Sequence, residues 1–300
     1  MLFSSTARLL RPFASNLSPL SAPGLATLAS QHTLQVLEAP TLSFAQQRDH
    51  VDRVSSQLER TGILKIILGF SDTSSSYLKQ LLMSLHELHH HRLPISHSAK
   101  RGWFWDVRPN DTTFQAGNHQ ARSETMNEFP WHTDCSYEPE LPRYFALQVL
   151  QHDRYGGGTL SVMNVEKLNE LLSTESKAAL MAPEFRIEVP PEFIKDQERK
   201  HITGSILMSN GQSTMIRFRE DIVTPLTSRA EVALQELCTA LMQQEVQAHT
   251  TLHLKSSDLP KGSIILMDNR RWLHARNDIK DPERHLRRVR WDACAFDSSN

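Results

Sequence analysis

The sequence predicts a mainly β fold with flanking helices, a jelly roll. Two observations carry this: many short apolar runs bounded by Gly and Pro turns, and few helical periodicities between them. A third sets the domain count. Apolar residues are spread evenly with no low-complexity linker, so residues 31–300 read as a single domain, long enough to bury an ample core without disulfide staples.

Taken in order, residues 44–60 read as a polar helix leading into the apolar run Gly62 to Leu68, which is of buried-strand type. Leu78, Leu81, Leu82 and Leu85 recur at helical spacing and make Ser74 to His90 an amphipathic helix packed on the sheet. His86, His89, His90 and His91 at its end read as a solvated terminus, where imidazoles complement the helix dipole, since no carboxylate or Cys completes a metal set nearby. Arg101 to Phe129 is long and polar and carries Trp103, Trp105 and Phe114, either as a functional loop over a site or as core-packing aromatics. Strands are then expected at Tyr144–Leu150, Thr159–Met163, Phe185–Val189, Ser213–Phe218, Ser263–Asp268 and Leu286–Ala293. Helices are expected at Val165–Met181 and Ser228–Val246, the second opening on the capping-box pattern Ser228-Arg229-Ala230-Glu231.

Composition narrows the function classes. A formal charge of −1 gives no basic surface for nucleic acid or an anionic membrane, and no apolar run reaches the length of a membrane span. Cys135, Cys238 and Cys294 are odd in number and widely spaced, which suits a reducing compartment. Residues 1–30 contain Arg8 and Arg11, are rich in Ser, Ala and Leu, and precede the first acidic residue, Glu38. That composition resembles a mitochondrial transit peptide; the alternative is a disordered tail on a cytoplasmic protein. A homo-oligomer stays open.

The chemistry-bearing feature is His132-Thr133-Asp134, followed far downstream by His274 and Arg284. Ligand-type side chains two residues apart share a face of an extended segment, and a third imidazole would complete a two-His-one-carboxylate face for non-haem iron with open positions. With 15 His in the chain such a triplet is common by chance, so its flanks decide. The adjacent Cys135 reads as a buried thiol pointing away from the ligands by strand alternation.

Residues 129–137, Phe-Pro-Trp-His-Thr-Asp-Cys-Ser-Tyr, resemble the first ligand segment of the TauD/TfdA-type 2-oxoglutarate-dependent dioxygenases. Residues 261–276, with the stretch Asp281 to Arg288, resemble the distal-His segment, particularly of the clavaminate-synthase-like branch. Gly156-Gly157-Gly158-Thr159-Leu160 sits where that family carries a Gly-rich turn, and the three blocks occur in family order over roughly residues 55–295. The resemblance implies a double-stranded β-helix of cupin-like type. It implies His132, Asp134 and His274 as ligands to Fe(II), Arg284 as the cation for the distal carboxylate of 2-oxoglutarate, Thr159 as its hydroxyl partner, and Arg288 as a second Arg near substrate or co-substrate. Dioxygen would be the other co-substrate. Amino-acid oxygenases of the clavaminate branch often use Glu where this chain has Asp134, so an amino-acid substrate is not inherited with the resemblance.

An extended segment from Arg284 would place Arg284, Arg288 and Arg290 on one face and Arg287 and Trp291 on the other. A buried unpaired guanidinium is costly, so an inward Arg284 implies an anionic partner, whereas Arg287 and Arg290 read as surface charges. The turn Asp268 to Arg271 is expected to orient the distal ligand, and Trp131, Tyr137 and Arg219 are candidates for a substrate wall. The expected activity is hydroxylation or desaturation of an unactivated C–H bond of a small-molecule substrate, releasing succinate and CO2. The competing classes are a metal-dependent hydrolase, which leaves Arg284 unexplained, and a catalytically silent binding roll, which leaves the intact ligand set unexplained.

Overall fold

The computed structural model describes residues 34–96, 102–109, 121–194, 196 and 198–296; the expected targeting segment, residues 1–30, and Phe114 lie outside them. Strand β1 (Val36–Ala39) leads into α1 (Arg48–Thr61), β2 (Ile63–Leu68) and α2 (Ser76–His89). Next come β3 (Trp105–Val107), β4 (Phe129–His132), the long β5 (Glu140–Gln151) and β6 (Leu160–Asn164). Helices α3 (Val165–Glu170) and α4 (Thr174–Leu180) precede β7 (Phe185–Glu188), β8 (His201–Gly204), β9 (Leu207–Ser209), β10 (Thr214–Ile216) and β11 (Val223–Pro225). Helices α5 (Ser228–Met242) and α6 (Gln244–Thr250) lead to β12 (Thr251–Leu254), β13 (Ser263–Asp268), β14 (Trp272–Arg276) and β15 (His285–Ala295).

Two sheets form the roll. One has strand order β1-β2-β13-β5-β15-β3 and the other β12-β6-β14-β4. All their pairings are antiparallel except β1 with β2. Strand alternation sorts the side chains: Phe145, Leu147, Ile265, Met267 and Leu286 of the larger sheet meet Leu160, Val162 and Trp272 of the smaller one inside the roll. The intervening residues Tyr144, Ala146, Ile264, Leu266, Val289 and Trp291 face outward beneath α1 and α2. Met163 and Leu273, on the far side of the smaller sheet, pack with residues of α3 to α5. Each fully buried Leu, Ile or Phe contributes about 1.5–3 kcal/mol, so this two-sided burial makes the central strands the rigid part of the molecule.

Several local expectations change. The helix expected over 165–181 is two helices, because Ser173 leaves the first and caps the second by accepting from Ser176 N–H. Thr227, one residue before the expected cap, caps α5 by accepting from Ala230 N–H. At the end of α2 His86 and His90 are exposed as expected and His89 is half-buried against Asp52, but His91 is buried, stacked on Tyr144 and bonded by the Trp291 indole N–H at 3.1 Å. Trp105 is a buried core residue on β3. Gly62 ends α1 at φ 72°, where a side chain would be strained and would press on Trp272 at 3.0 Å.

Candidate metal centre

The smaller sheet sets His132 and His274 directly opposite each other, as Cα partners in the β4–β14 ladder. Asp134 is held differently. β4 ends at His132, so Asp134 lies in the following turn and strand alternation does not place it. Thr133 is pinned instead to Phe218, donating its N–H to the carbonyl at 2.8 Å and accepting Phe218 N–H on its hydroxyl at 3.0 Å. Asn269 then clamps Asp134: its Oδ1 accepts Asp134 N–H at 2.7 Å and its Nδ2 donates to the Asp134 carbonyl at 2.9 Å. The turn expected to orient the distal His therefore orients the carboxylate.

These elements bring one ligand-type atom from each of His132, Asp134 and His274 within 4.8 Å of one another, the three residues being only 4–6 % exposed. His132 Nδ1 lies 2.7 Å from the Pro130 carbonyl; donating there directs the lone pair of Nε2 to the site. Burial and the neighbouring His274 hold the His132 imidazole well below its usual pKa, so it is neutral at neutral pH. Burial, the largest single influence, would raise the Asp134 carboxyl, but the Arg288 guanidinium 3.0 Å from Oδ1, together with His274 and Arg290, outweighs it and holds the group well below the usual carboxylate range. Asp134 Oδ2 is buried with no hydrogen-bond partner among the described residues. An orphaned carboxylate oxygen beside two imidazoles is a donor set that fits a divalent transition metal.

A cleft of roughly 380 Å³, its open mouth included, lies over this cluster. Tyr137 and Arg219 line it as expected, together with Phe193, whereas Trp131 is in the core behind. Two side chains depart from expectation. Cys135, at φ 57° in the turn, lines the cleft rather than pointing away, and Arg290 is buried there with a guanidinium hydrogen bond to Cys135 Sγ. Arg290 shares the inward parity of Arg288 on β15, and that alternation was the signal available in the sequence; Arg287 faces outward to Asp106. Burial pushes the Cys135 thiol pKa up.

Arg284 enters a second recess of roughly 400 Å³, its open mouth included, lined by Leu147, Val149, Leu160, Ile265 and Leu286 and by the polar His152, Asp153, Lys255 and Ser256. Its Nη1 is buried with no hydrogen-bond partner among the described residues. Burial and the nearby Arg276 push its pKa down to about 9 against the opposing pull of Asp153. Asp153 is occupied elsewhere, accepting N–H groups from Tyr155, Gly157, Lys280 and Asp281. Gly158, at φ 64°, leaves room for the guanidinium, since a Cβ there would lie 2.7 Å from Arg284 Nε. Thr159 is beside the recess, its N–H held by Asn277 at 2.7 Å, but does not line it.

The family model described as taurine catabolism dioxygenase TauD, TfdA family matches residues 30–290. An L-asparagine oxygenase of Streptomyces coelicolor is 28 % identical over 149 residues, which cover 50 % of this chain and 42 % of that protein, less than half its length. Among solved structures, asparagine oxygenase in complex with Fe(II), 2S,3S-3-hydroxyasparagine and succinate superposes with a TM-score of 0.64 at 18 % identity, covering 85 % of this chain and 92 % of that one. The non-heme iron oxygenase OrfP in complex with Fe and alpha-ketoglutaric acid gives 0.59 at 18 %, covering 86 % and 82 %. These structural likenesses establish a shared fold. The family match spans most of the sequence, and the chain belongs to the TauD, TfdA family.

Proposed function

We propose, from that membership, that the protein is an Fe(II)- and 2-oxoglutarate-dependent oxygenase that hydroxylates a C–H bond of a small metabolite and releases succinate and CO2. The observation that carries the reading is the convergence of His132, Asp134 and His274 on one buried point, with a carboxylate oxygen left without a hydrogen-bond partner among the described residues. In this reading the three side chains hold Fe(II), which when bound supplies the redox chemistry that couples decarboxylation of 2-oxoglutarate to oxidation of the substrate by dioxygen.

The chain's own residues do the rest. The Pro130 carbonyl fixes the His132 tautomer, and Arg288 keeps Asp134 anionic and oriented. Arg284 takes the distal carboxylate of 2-oxoglutarate as a planar, two-pronged donor, with Leu147, Val149, Leu160, Ile265 and Leu286 packed on the apolar side of the recess. Thr159 stands at the rim of that recess. Tyr137, Phe193 and Arg219 border the space left for the prime substrate, and Arg288 and Arg290 face it from the sheet. Free amino acids are the first candidates, because the relatives' names concern asparagine and arginine derivatives. Oxygen uptake that requires both added Fe(II) and added 2-oxoglutarate tests the reaction class; uptake indifferent to 2-oxoglutarate, or hydrolysis without oxygen, overturns it. Succinate release across a pool of candidate metabolites, followed by mass analysis for one added oxygen atom, then identifies the substrate.

The composition of residues 1–30 supports a mitochondrial address for the protein. A reporter carrying that segment is expected to enter mitochondria and lose it; a cytosolic, uncleaved reporter contradicts this. Among the described residues no helix is long and apolar enough to cross a membrane.

A further inference from the structure

We infer that Asn269 is the positioning residue for the carboxylate ligand, acting on Asp134 through its backbone from the turn that joins β13 to β14. The inference rests on the reading of His132, Asp134 and His274 as metal ligands. Two of those ligands need no such device, because His132 and His274 are fixed by the ladder in which they face each other. Asp134 has no ladder. It lies beyond the end of β4, and the next residue, Cys135, takes a left-handed conformation at φ 57°, a strained geometry for a side-chain-bearing residue. Something outside the strand has to fix the peptide groups on both sides of its Cα.

Asn269 does so with every polar atom of its side chain. Oδ1 accepts Asp134 N–H at 2.7 Å, one Nδ2 hydrogen goes to the Asp134 carbonyl at 2.9 Å, and the other to the Pro142 carbonyl at 3.0 Å. Its own N–H is bonded to the Arg143 carbonyl at 2.7 Å, and the residue is fully buried. A side chain that reads both an N–H and a C=O of the same residue mimics a strand neighbour, so Asn269 supplies the missing rung. The donor pattern also demands an amide. An Asp in the same volume would face two carbonyl oxygens with a carboxylate, leaving two acceptors unpaired and adding a buried charge. Ala would remove all three bonds.

The test uses the full chain freed of metal and titrated with Co(II), following the visible absorption of the bound ion, with thermal unfolding of the metal-free protein measured alongside. Groups that orient a ligand typically cost about 10- to 100-fold in metal affinity when lost. Asn269→Ala and Asn269→Asp are expected to weaken Co(II) by that factor and alter its spectrum, with Asp no better than Ala despite its shape. Arg270→Lys, in the same turn, disturbs bonds to the Leu141 and Cys294 carbonyls but none to Asp134. It is expected to lower the melting temperature without changing Co(II) affinity. Should the Ala variant fail to fold, Asn269→Ser, which keeps a hydroxyl, is expected to show the same loss.

Co(II) affinity and spectrum unchanged in a folded Asn269 variant overturn the inference, as does an equal loss in Arg270→Lys. Asp134→Ala separates the two levels of the argument. If it keeps wild-type Co(II) affinity, the ligand assignment fails; if it loses the metal while the Asn269 variants keep it, only the positioning role fails.

Discussion

Arg284 and Arg288 flank the start of the last strand, both nearly inaccessible to water, and meet the cost of a buried charge in opposite ways. Arg288 has an internal counter-ion, Asp134 Oδ1 at 3.0 Å, and belongs to the metal centre. Arg284 has a largely aliphatic lining on one side and a Nη1 without a hydrogen-bond partner among the described residues, while Asp153, which shares its recess, spends its oxygens on backbone N–H groups. A guanidinium whose charge is compensated inside the protein tunes what it touches. One whose charge is not compensated is built for an anion from outside. The same few residues of sequence thus hold one cation paired inside the protein and one proposed to bind a ligand, and burial alone does not distinguish them.

The comparison breaks first if the metal centre is wrong. His132→Ala or Asp134→Ala is expected to abolish stoichiometric Fe(II) binding while circular dichroism shows a folded chain; an iron count near one per chain together with turnover in either variant contradicts the ligand set. Arg288→Ala leaves a buried carboxylate without its cation, a loss on the order of 3–5 kcal/mol for a buried pair. Its expected signature is poor coupling, with succinate released in excess of hydroxylated product, and normal coupling would detach Arg288 from the centre. Gly158→Ala introduces a Cβ within 2.7 Å of Arg284 Nε at a positive φ, and should weaken 2-oxoglutarate binding by roughly tenfold, about 1.4 kcal/mol, with iron stoichiometry unchanged. The smallest effect is on the ligand-free fold. Burial and the neighbouring Arg276 disfavour the charged form of Arg284, so the guanidinium costs stability until an anion joins it. Arg284→Gln is therefore expected to stabilise the ligand-free protein by about 1–3 kcal/mol, an advantage that 2-oxoglutarate removes; urea unfolding with and without 2-oxoglutarate checks it.

Periodicity and punctuation made the roll legible. The alternation in β5, β13 and β15 separates interior from exterior side chains with few exceptions, and the ligand triplet is read from its flanks. Where the sequence misled, a longer-range contact had overruled a local rule. Arg290 reads as a surface charge because arginines usually are, yet its parity with Arg288 turns it inward beside Cys135. Cys135 was expected to point away by alternation, but the strand stops at His132 and the turn redirects the thiol into the cleft. The turn Asp268 to Arg271 was legible as one that orients a ligand, but not that Asn269 clamps Asp134, 135 residues away, since only the fold brings the two together. His91, similarly, is drawn into the core by Tyr144 and Trp291 rather than left with its helix end.

The most direct test of the division between the two arginines is calorimetric titration of 2-oxoglutarate into the Fe(II)-loaded protein under anaerobic conditions, for the wild type, Arg284→Ala, Arg284→Lys and Arg288→Ala. Loss of a buried charge-assisted pair at Arg284 is expected to cost about 2–5 kcal/mol, roughly 30-fold to several-thousand-fold in affinity, with Lys recovering only part because an ammonium cannot reproduce the fork. Arg288→Ala should lose much less. If Arg288→Ala carries the large loss and Arg284→Ala binds 2-oxoglutarate like the wild type, the recess around Arg284 is not the co-substrate's carboxylate site and the account is contradicted.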